Sequence, residues 1–130
     1  MSVPITALYA GVLALISVVL AIQVGMIRVR KGVSILHGDD MELAQVIRRH
    51  ANFTETVPLV LILLAVIELN GGSRMLLHTL GTVLVVARML HPIGLVHDNL
   101  RNPLRLLGAG VTTLVTLVAA ATAIVQFYSA

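Results

Sequence analysis

Long runs of apolar residues alternate with short polar connections along the whole chain. Four runs occupy about residues 4–27, 40–69, 74–91 and 103–128. Each is long enough to cross a bilayer as a helix, which takes roughly 17–25 predominantly apolar residues. The pattern therefore predicts an all-α fold, an integral membrane four-helix bundle that forms one membrane domain over residues 1–130.

Local signals mark the ends of these predicted helices. Asp39 followed three residues later by Glu42 fits a capping box at the start of the second helix, with Asp in place of the usual Ser or Thr. Ser73 follows a compact turn and suits the N-cap of the third helix. Pro92 and Gly94 should break that helix after about His91, and Asn102-Pro103 suits the N-cap and first position of the fourth.

Composition agrees with a membrane protein. The chain is 58% hydrophobic and only 12% charged, with a mean hydropathy of +0.98, whereas about a quarter of the residues in soluble domains are charged. No basic segment precedes the first run, which exceeds the length of a signal-peptide core, so we expect a retained helix. Cysteine is absent, so any thiol chemistry requires a thiol supplied by a ligand.

The basic residues lie beside the predicted spans, which makes them topology signals and argues against a nucleic-acid partner. The turn after the second helix carries only Arg74. By the positive-inside rule, the first and third loops are expected in the cytoplasm and both termini outside. The residues that give this asymmetry, in or near those two loops, are Arg28, Arg30, Lys31, Arg48, Arg49, Arg101 and Arg105.

A polar stripe is the candidate functional feature of the second helix. Arg48, Asn52 and Glu55 are separated by four and three residues and so project from one face. An uncharged run from 57 to 67 follows, which places Glu55 within the apolar zone, where an ionisable side chain is costly unless paired. These side chains either form a binding site or link helices, in which case Glu55 would pair with Arg48 or Arg88.

The motif Arg48-x-x-x-Asn52-x-x-Glu55-x-x-Pro58 resembles that of the membrane-associated proteins in eicosanoid and glutathione metabolism, the MAPEG family. The resemblance covers the whole chain and is strongest to the short bacterial branch, which implies a bacterial inner membrane. Further matching segments are the basic first loop, Arg88-x-x-His91 at the end of the third helix, and Arg101-x-Pro103-x-Arg105 at the start of the fourth.

The resemblance implies a homotrimer that binds glutathione between subunits and acts on lipophilic electrophiles or peroxides, with membrane lipids as further partners. Arginines suit the carboxylates of glutathione, and a carboxylate such as Glu55 suits its ammonium. Arg105 is the implied catalytic residue, because a fixed cation stabilises the reactive thiolate. The implied glutathione-binding residues are Arg28, Arg48, Asn52, Glu55 and His91.

Three positions depart from the family pattern. Where characterised eukaryotic members carry a tyrosine, a serine and a second tyrosine, this chain has Leu95, Leu106 and Ala109. The departures leave open a structural or lipid-binding trimer without catalysis. A small proton-coupled multidrug transporter is a further alternative, although such proteins carry their essential carboxylate in a first helix that is wholly apolar here.

Several other residues have simpler interpretations. The five histidines form no H-x-x-x-H or H-E-x-x-H spacing, so we predict no metal site. Arg30 and Lys31 suit anionic lipid headgroups, and Asp39, if it is not a cap, could orient Arg105. Gly108-Ala109-Gly110 is expected to permit close helix packing.

Overall fold

A computed structural model describes residues 2–129, so residues 1 and 130 of the predicted domain lie outside the described part. Its helices are α1 (Pro4–Lys31), α2 (Met41–Leu69), α3 (Arg74–Gly94) and α4 (Pro103–Ser129). All four are long and apolar enough to cross a membrane. Within residues 2–129 no strand forms beyond one isolated bridge. The predicted all-α fold with four potential spans is confirmed.

Two helices extend beyond the predicted ends. α1 continues to Lys31 rather than 27, because basic side chains are favourable in a last helical turn, and Gly32 ends the helix in the left-handed region with φ of 66°. α3 continues through Pro92 to Gly94 rather than ending at 91. Proline removes one backbone donor, but the N–H of Leu95 still donates to the carbonyl of His91 at 3.0 Å.

The cap of α2 differs by one residue from the prediction. Asp40, not Asp39, is the N-cap, and its Oδ1 accepts from the N–H of Leu43 at 2.8 Å. Asp39 lies in the left-handed region with φ of 60° and so cannot take the N-cap conformation. The Lys31 ammonium, 2.8 Å from Asp40 Oδ2, lowers the pKa of that carboxyl below its ordinary value.

The other two predicted caps are confirmed. Ser73 Oγ accepts from the N–H of Leu76 at 3.4 Å at the start of α3. Asn102 Oδ1 accepts from the N–H of Leu104 at 3.0 Å at the start of α4. Both satisfy backbone donors that the first turn of a helix leaves without an internal partner.

The end of α2 packs beside the start of α1. The Glu68 carboxylate accepts from the backbone N–H groups of Ile5 and Thr6 at 2.9 and 2.8 Å. A carboxylate is favourable there because the N-terminus of a helix carries partial positive charge. All four helices then contribute buried apolar side chains to one core, among them Leu13, Leu64, Leu84 and Ala119.

Tyr9 joins α1 to α3 near the same end of the bundle. Its hydroxyl lies 3.0 Å from His78 Nδ1 and 2.9 Å from Thr82 Oγ1, and donates to the His78 carbonyl at 3.0 Å. The ring rests on Gly81, where a Cβ atom would overlap the ring carbons. A glycine is therefore needed at that position for the two helices to approach.

We predict that Gly81→Ala destabilises the protein by about 1–3 kcal/mol, because the added methyl overpacks against the Tyr9 ring. Gly110→Ala is the matched control, since a Cβ there meets nothing within 4 Å. Thermal unfolding of both purified variants in detergent measures the difference. Equal midpoints for the two variants would show that the contact does not constrain packing.

Candidate functional site

A cleft of about 290 Å³ opens at the end of the bundle where α2, the end of α3 and the start of α4 meet. It brings together four of the six predicted site residues, Arg48, Asn52, His91 and Arg105. The remaining lining residues are Met41, Ala44, Gln45, Leu95, Val96 and His97. Residues far apart in the sequence thus form one concave surface.

Glu55 lies beside the cleft rather than in its lining. Both terminal nitrogens of Arg48 donate to the two Glu55 oxygens at 3.4 Å. The pair stands on the outer surface of the single chain, with the two side chains 58% and 55% exposed. The stripe predicted on α2 therefore forms, and Glu55 pairs with Arg48 rather than with Arg88.

Arg28 lies apart from the other predicted residues. Its guanidinium donates to the Leu36 carbonyl at 2.9 Å and to the Val33 carbonyl at 3.5 Å. Arg28 thereby holds the connection between α1 and α2 against the end of α1. Within one chain it does not line the cleft.

Arg88 lies behind the cleft without lining it, and it was not among the predicted site residues. It is only 1% exposed. Its guanidinium donates to Asn52 Oδ1 at 2.8 Å, to Thr56 Oγ1 at 3.3 Å and to the Gly108 carbonyl at 2.9 Å. These bonds join α2, α3 and α4 and fix the orientation of the Asn52 amide.

Gly108 lets α4 approach α3 closely at this point. A Cβ there would lie 2.7 Å from the His91 Cβ and 2.8 Å from the Ala87 carbonyl oxygen. The predicted close packing is thus confirmed at Gly108, whereas Gly110 faces open space. His91, 3% exposed, is held against this contact at the edge of the cleft.

Two residues of α2 attach the connection between α3 and α4, and sequence reasoning missed both. Gln45 Oε1 accepts from the His97 N–H at 2.9 Å, and Arg49 Nε donates to the Leu95 carbonyl at 3.1 Å. The sequence contains one indication of this shared role, since a spacing of four residues places both side chains on one face of the helix. They shape the outer wall of the cleft.

The cleft carries more positive than negative charge. Arg105 is half-buried, and among residues 2–129 no carboxylate lies within 4.0 Å of it. Arg48 is balanced by Glu55, so Arg105 supplies the excess charge. Within the same residues no three His, Asp or Glu side chains group in a way that could hold a metal ion. The arrangement suits an anionic ligand.

Comparison with known proteins places the chain in a family. The sequence model of the MAPEG family matches residues 6–125. Inner membrane protein YecN of Escherichia coli strain K12 is 32% identical over 97 residues, or 75% of this chain and 74% of the relative, and YecN of Escherichia coli O6:H1 strain CFT073 gives the same values. No solved structure gives a significant match. The chain belongs to the MAPEG family of integral membrane proteins, as its motifs predicted.

We predict that Arg88→Met destabilises the protein by about 2–5 kcal/mol, because it leaves the Asn52 Oδ1 without its donor and removes one of the two donors to the buried Gly108 carbonyl. Arg101→Met at an exposed position should change the free energy of unfolding by less than about 0.5 kcal/mol. Unfolding in detergent compares the two variants. A small effect at both positions would rule out a central structural role for Arg88.

Proposed function

We propose that this protein is a bacterial inner-membrane homotrimer that binds glutathione between subunits and uses its thiol on lipophilic electrophiles or peroxides. The observation that carries the proposal is the convergence of Arg48, Asn52, His91 and Arg105 on one cleft in a MAPEG-family chain. The location is supported by the relatives, which are named inner membrane proteins.

The side chains match the groups of glutathione. An arginine guanidinium can hold a carboxylate through two parallel hydrogen bonds, and Arg48 and Arg28 are assigned to the two carboxylates. Arg105 has no competing carboxylate among residues 2–129, which leaves its guanidinium for the thiolate. Glu55, which accepts only long bonds of 3.4 Å, is available for the ammonium group.

Two features of the single chain support the association of several subunits around the cleft. A cleft of about 290 Å³ is slightly smaller than most ligand sites, which usually enclose roughly 300–1,000 Å³, so a neighbouring subunit would supply a missing wall. Arg48 and Glu55 are also more than half exposed on a spanning helix. Charged side chains are costly in lipid, and a second subunit would cover them. Arg28 would then contact glutathione across the interface.

Arg105 would perform the chemical activation. A fixed cation near a thiol lowers the thiol pKa and increases the fraction of thiolate, which is the nucleophile. The thiol proton would be released to water, and the thiolate sulfur would then form a bond to the electrophilic carbon of a lipophilic substrate while the bond from that carbon to its leaving group breaks and the leaving group departs with the electron pair. Asn52, oriented by Arg88, would position the ligand without taking part in proton transfer.

The lining of the cleft also favours a second candidate, a glutathione-binding protein without efficient turnover. Leu95 lines the cleft at a position where the resemblance implies a tyrosine. The two tyrosines of the chain lie elsewhere, since Tyr9 contacts α3 at the opposite end and Tyr128 lies near the end of α4. Binding without thiolate formation would favour this candidate.

We predict that the purified protein binds glutathione, and that Glu55→Ala weakens binding roughly 10–100-fold through loss of a charged hydrogen bond. Arg105→Ala should leave the trimer intact while raising the pKa of the bound thiol. Calorimetry measures binding, ultraviolet absorbance of the thiolate measures ionisation, and light scattering measures the oligomer.

Arg101→Ala is the control, because Arg101 is an exposed arginine at the same end and does not line the cleft. Absence of binding by a stable oligomer would contradict the glutathione proposal. An unchanged thiol pKa in Arg105→Ala, with binding retained, would contradict only the assigned role of Arg105.

A further inference from the structure

A second concavity, the α1–α2 groove, lies between α1 and α2 at the end of the bundle that also carries the cleft. It encloses about 400 Å³ and is lined by four residues from each helix. One of them, Gln45, also lines the cleft, whereas Arg48, Asn52, His91 and Arg105 do not line the groove. The groove is therefore a separate concavity from the proposed glutathione site.

The register of α1 against α2 gives the groove two ends. Arg30 pairs with Glu42 and marks the outer end, beside the α1–α2 connection. Gln23 precedes Arg30 by seven residues, and Arg49 follows Glu42 by seven. Because the two helices run in opposite directions, Gln23 and Arg49 share a level about 10 Å from that ion pair. They mark the inner end of the groove.

The groove lies at the level of the helix ends and extends out of the bundle. Leu20 of α1 and Ile93 of α3 line one cavity, and α3 ends at Gly94. Since α1 and α3 run in the same direction, the part of α1 that lines the groove begins about where α3 ends and continues toward the α1–α2 connection. On the predicted topology this end faces the cytoplasm, so a ligand would enter the groove from water.

The inner end contains a cation without an anionic partner. Arg49 is half-buried, and its Nε is fixed by the bond of 3.1 Å to the Leu95 carbonyl. Its terminal nitrogens are accessible, and among residues 2–129 they bond no acceptor and have no carboxylate within 4.0 Å. The side-chain nitrogens of Gln23 and Gln45 are also accessible and bond no acceptor in that part of the chain. Guanidinium and amide nitrogens are donors, so the inner end suits an oxyanion.

Apolar walls separate the two ends. Ile27 is half-buried, and Val46 lies deep in the groove at 5% exposure. Met26 forms the edge and is 61% exposed. Ligand sites typically combine such apolar walls with a few polar groups that fix the orientation of the ligand. The walls favour an anion with an apolar body over a small hydrated ion such as inorganic phosphate.

The acidic residue of the groove is already neutralised. Glu42 pairs with Arg30, and its Oε2 lies 3.3 Å from the Lys31 ammonium. With those charges matched, the unpaired charge of the groove is that of Arg49. One unpaired cation matches a ligand with a single negative charge.

We propose that the α1–α2 groove binds a water-soluble organic carboxylate, with the carboxylate at Arg49 and the apolar body between Met26 and Val46. A carboxylate accepts paired hydrogen bonds from a guanidinium. A phospholipid does not fit this arrangement, because acyl chains that start at Arg49 would have to run along the groove toward the charged α1–α2 connection.

Binding of 2-naphthoate and of the neutral 2-naphthamide to the protein in nanodiscs tests this proposal, with empty nanodiscs to correct for partition into lipid. Equilibrium dialysis should show that 2-naphthoate binds about tenfold more tightly than 2-naphthamide. Arg49→Gln should remove that preference, because a charge-assisted bond is lost. Arg101→Gln makes the same charge change at an exposed position outside the groove, and it should alter the affinity by less than about twofold.

Met26→Trp is an independent variant that leaves every charge in place. It should weaken 2-naphthoate binding by about tenfold, because the indole fills the space between the apolar walls. Met75→Trp is its matched control, since Met75 is 82% exposed at the opposite end of the bundle. This pair decides the question if Arg49→Gln does not fold.

Equal affinities for the two probes, or no binding of 2-naphthoate, would overturn the proposal. Equal losses in Arg49→Gln and Arg101→Gln, or in the two tryptophan variants, would also overturn it, because the carboxylate would then bind outside the groove.

Discussion

The buried guanidinium of Arg88 is the interaction on which the arrangement of the helices around the cleft depends. A cation at 1% exposure between spanning helices cannot reach water, so its donors must find acceptors within the protein. The two terminal nitrogens find them on Asn52 and Thr56 of α2 and on the Gly108 carbonyl of α4, whereas Nε has no partner among residues 2–129. One side chain thereby sets the relative positions of three helices.

The same constraint explains why small residues and polar residues occur together at this end. Gly108 brings the backbone of α4 within reach of Arg88 and against His91, and its buried carbonyl also accepts from Thr112 Oγ1 at 2.7 Å. A larger residue would separate α3 from α4 and withdraw that acceptor. The close packing of α3 on α4 and the acceptor for Arg88 therefore both depend on Gly108. Dispersion contacts and hydrogen bonds are the interactions that hold helices together in lipid.

The sequence was sufficient to predict the four spans and the α2 stripe, because both follow from periodicity within a single helix. Arg48 and Glu55 do pair along that stripe. Periodicity within one helix does not predict which residues of different helices touch. The bond from Arg88 to Asn52 depends on how α3 rotates against α2, and the separation of Arg28 from the cleft depends on the path of the first connection.

One short segment of α2 supports the wall of the cleft. Gln45 lies in the lining and accepts from the N–H of His97, whereas Arg49 donates to the carbonyl of Leu95, another lining residue. Because Gln45 and Arg49 stand one helical turn apart on the same face, the connection between α3 and α4 is attached to α2 at two neighbouring points. The same helix carries Arg48 and Asn52, so the wall and these two side chains of the cleft are positioned by one element.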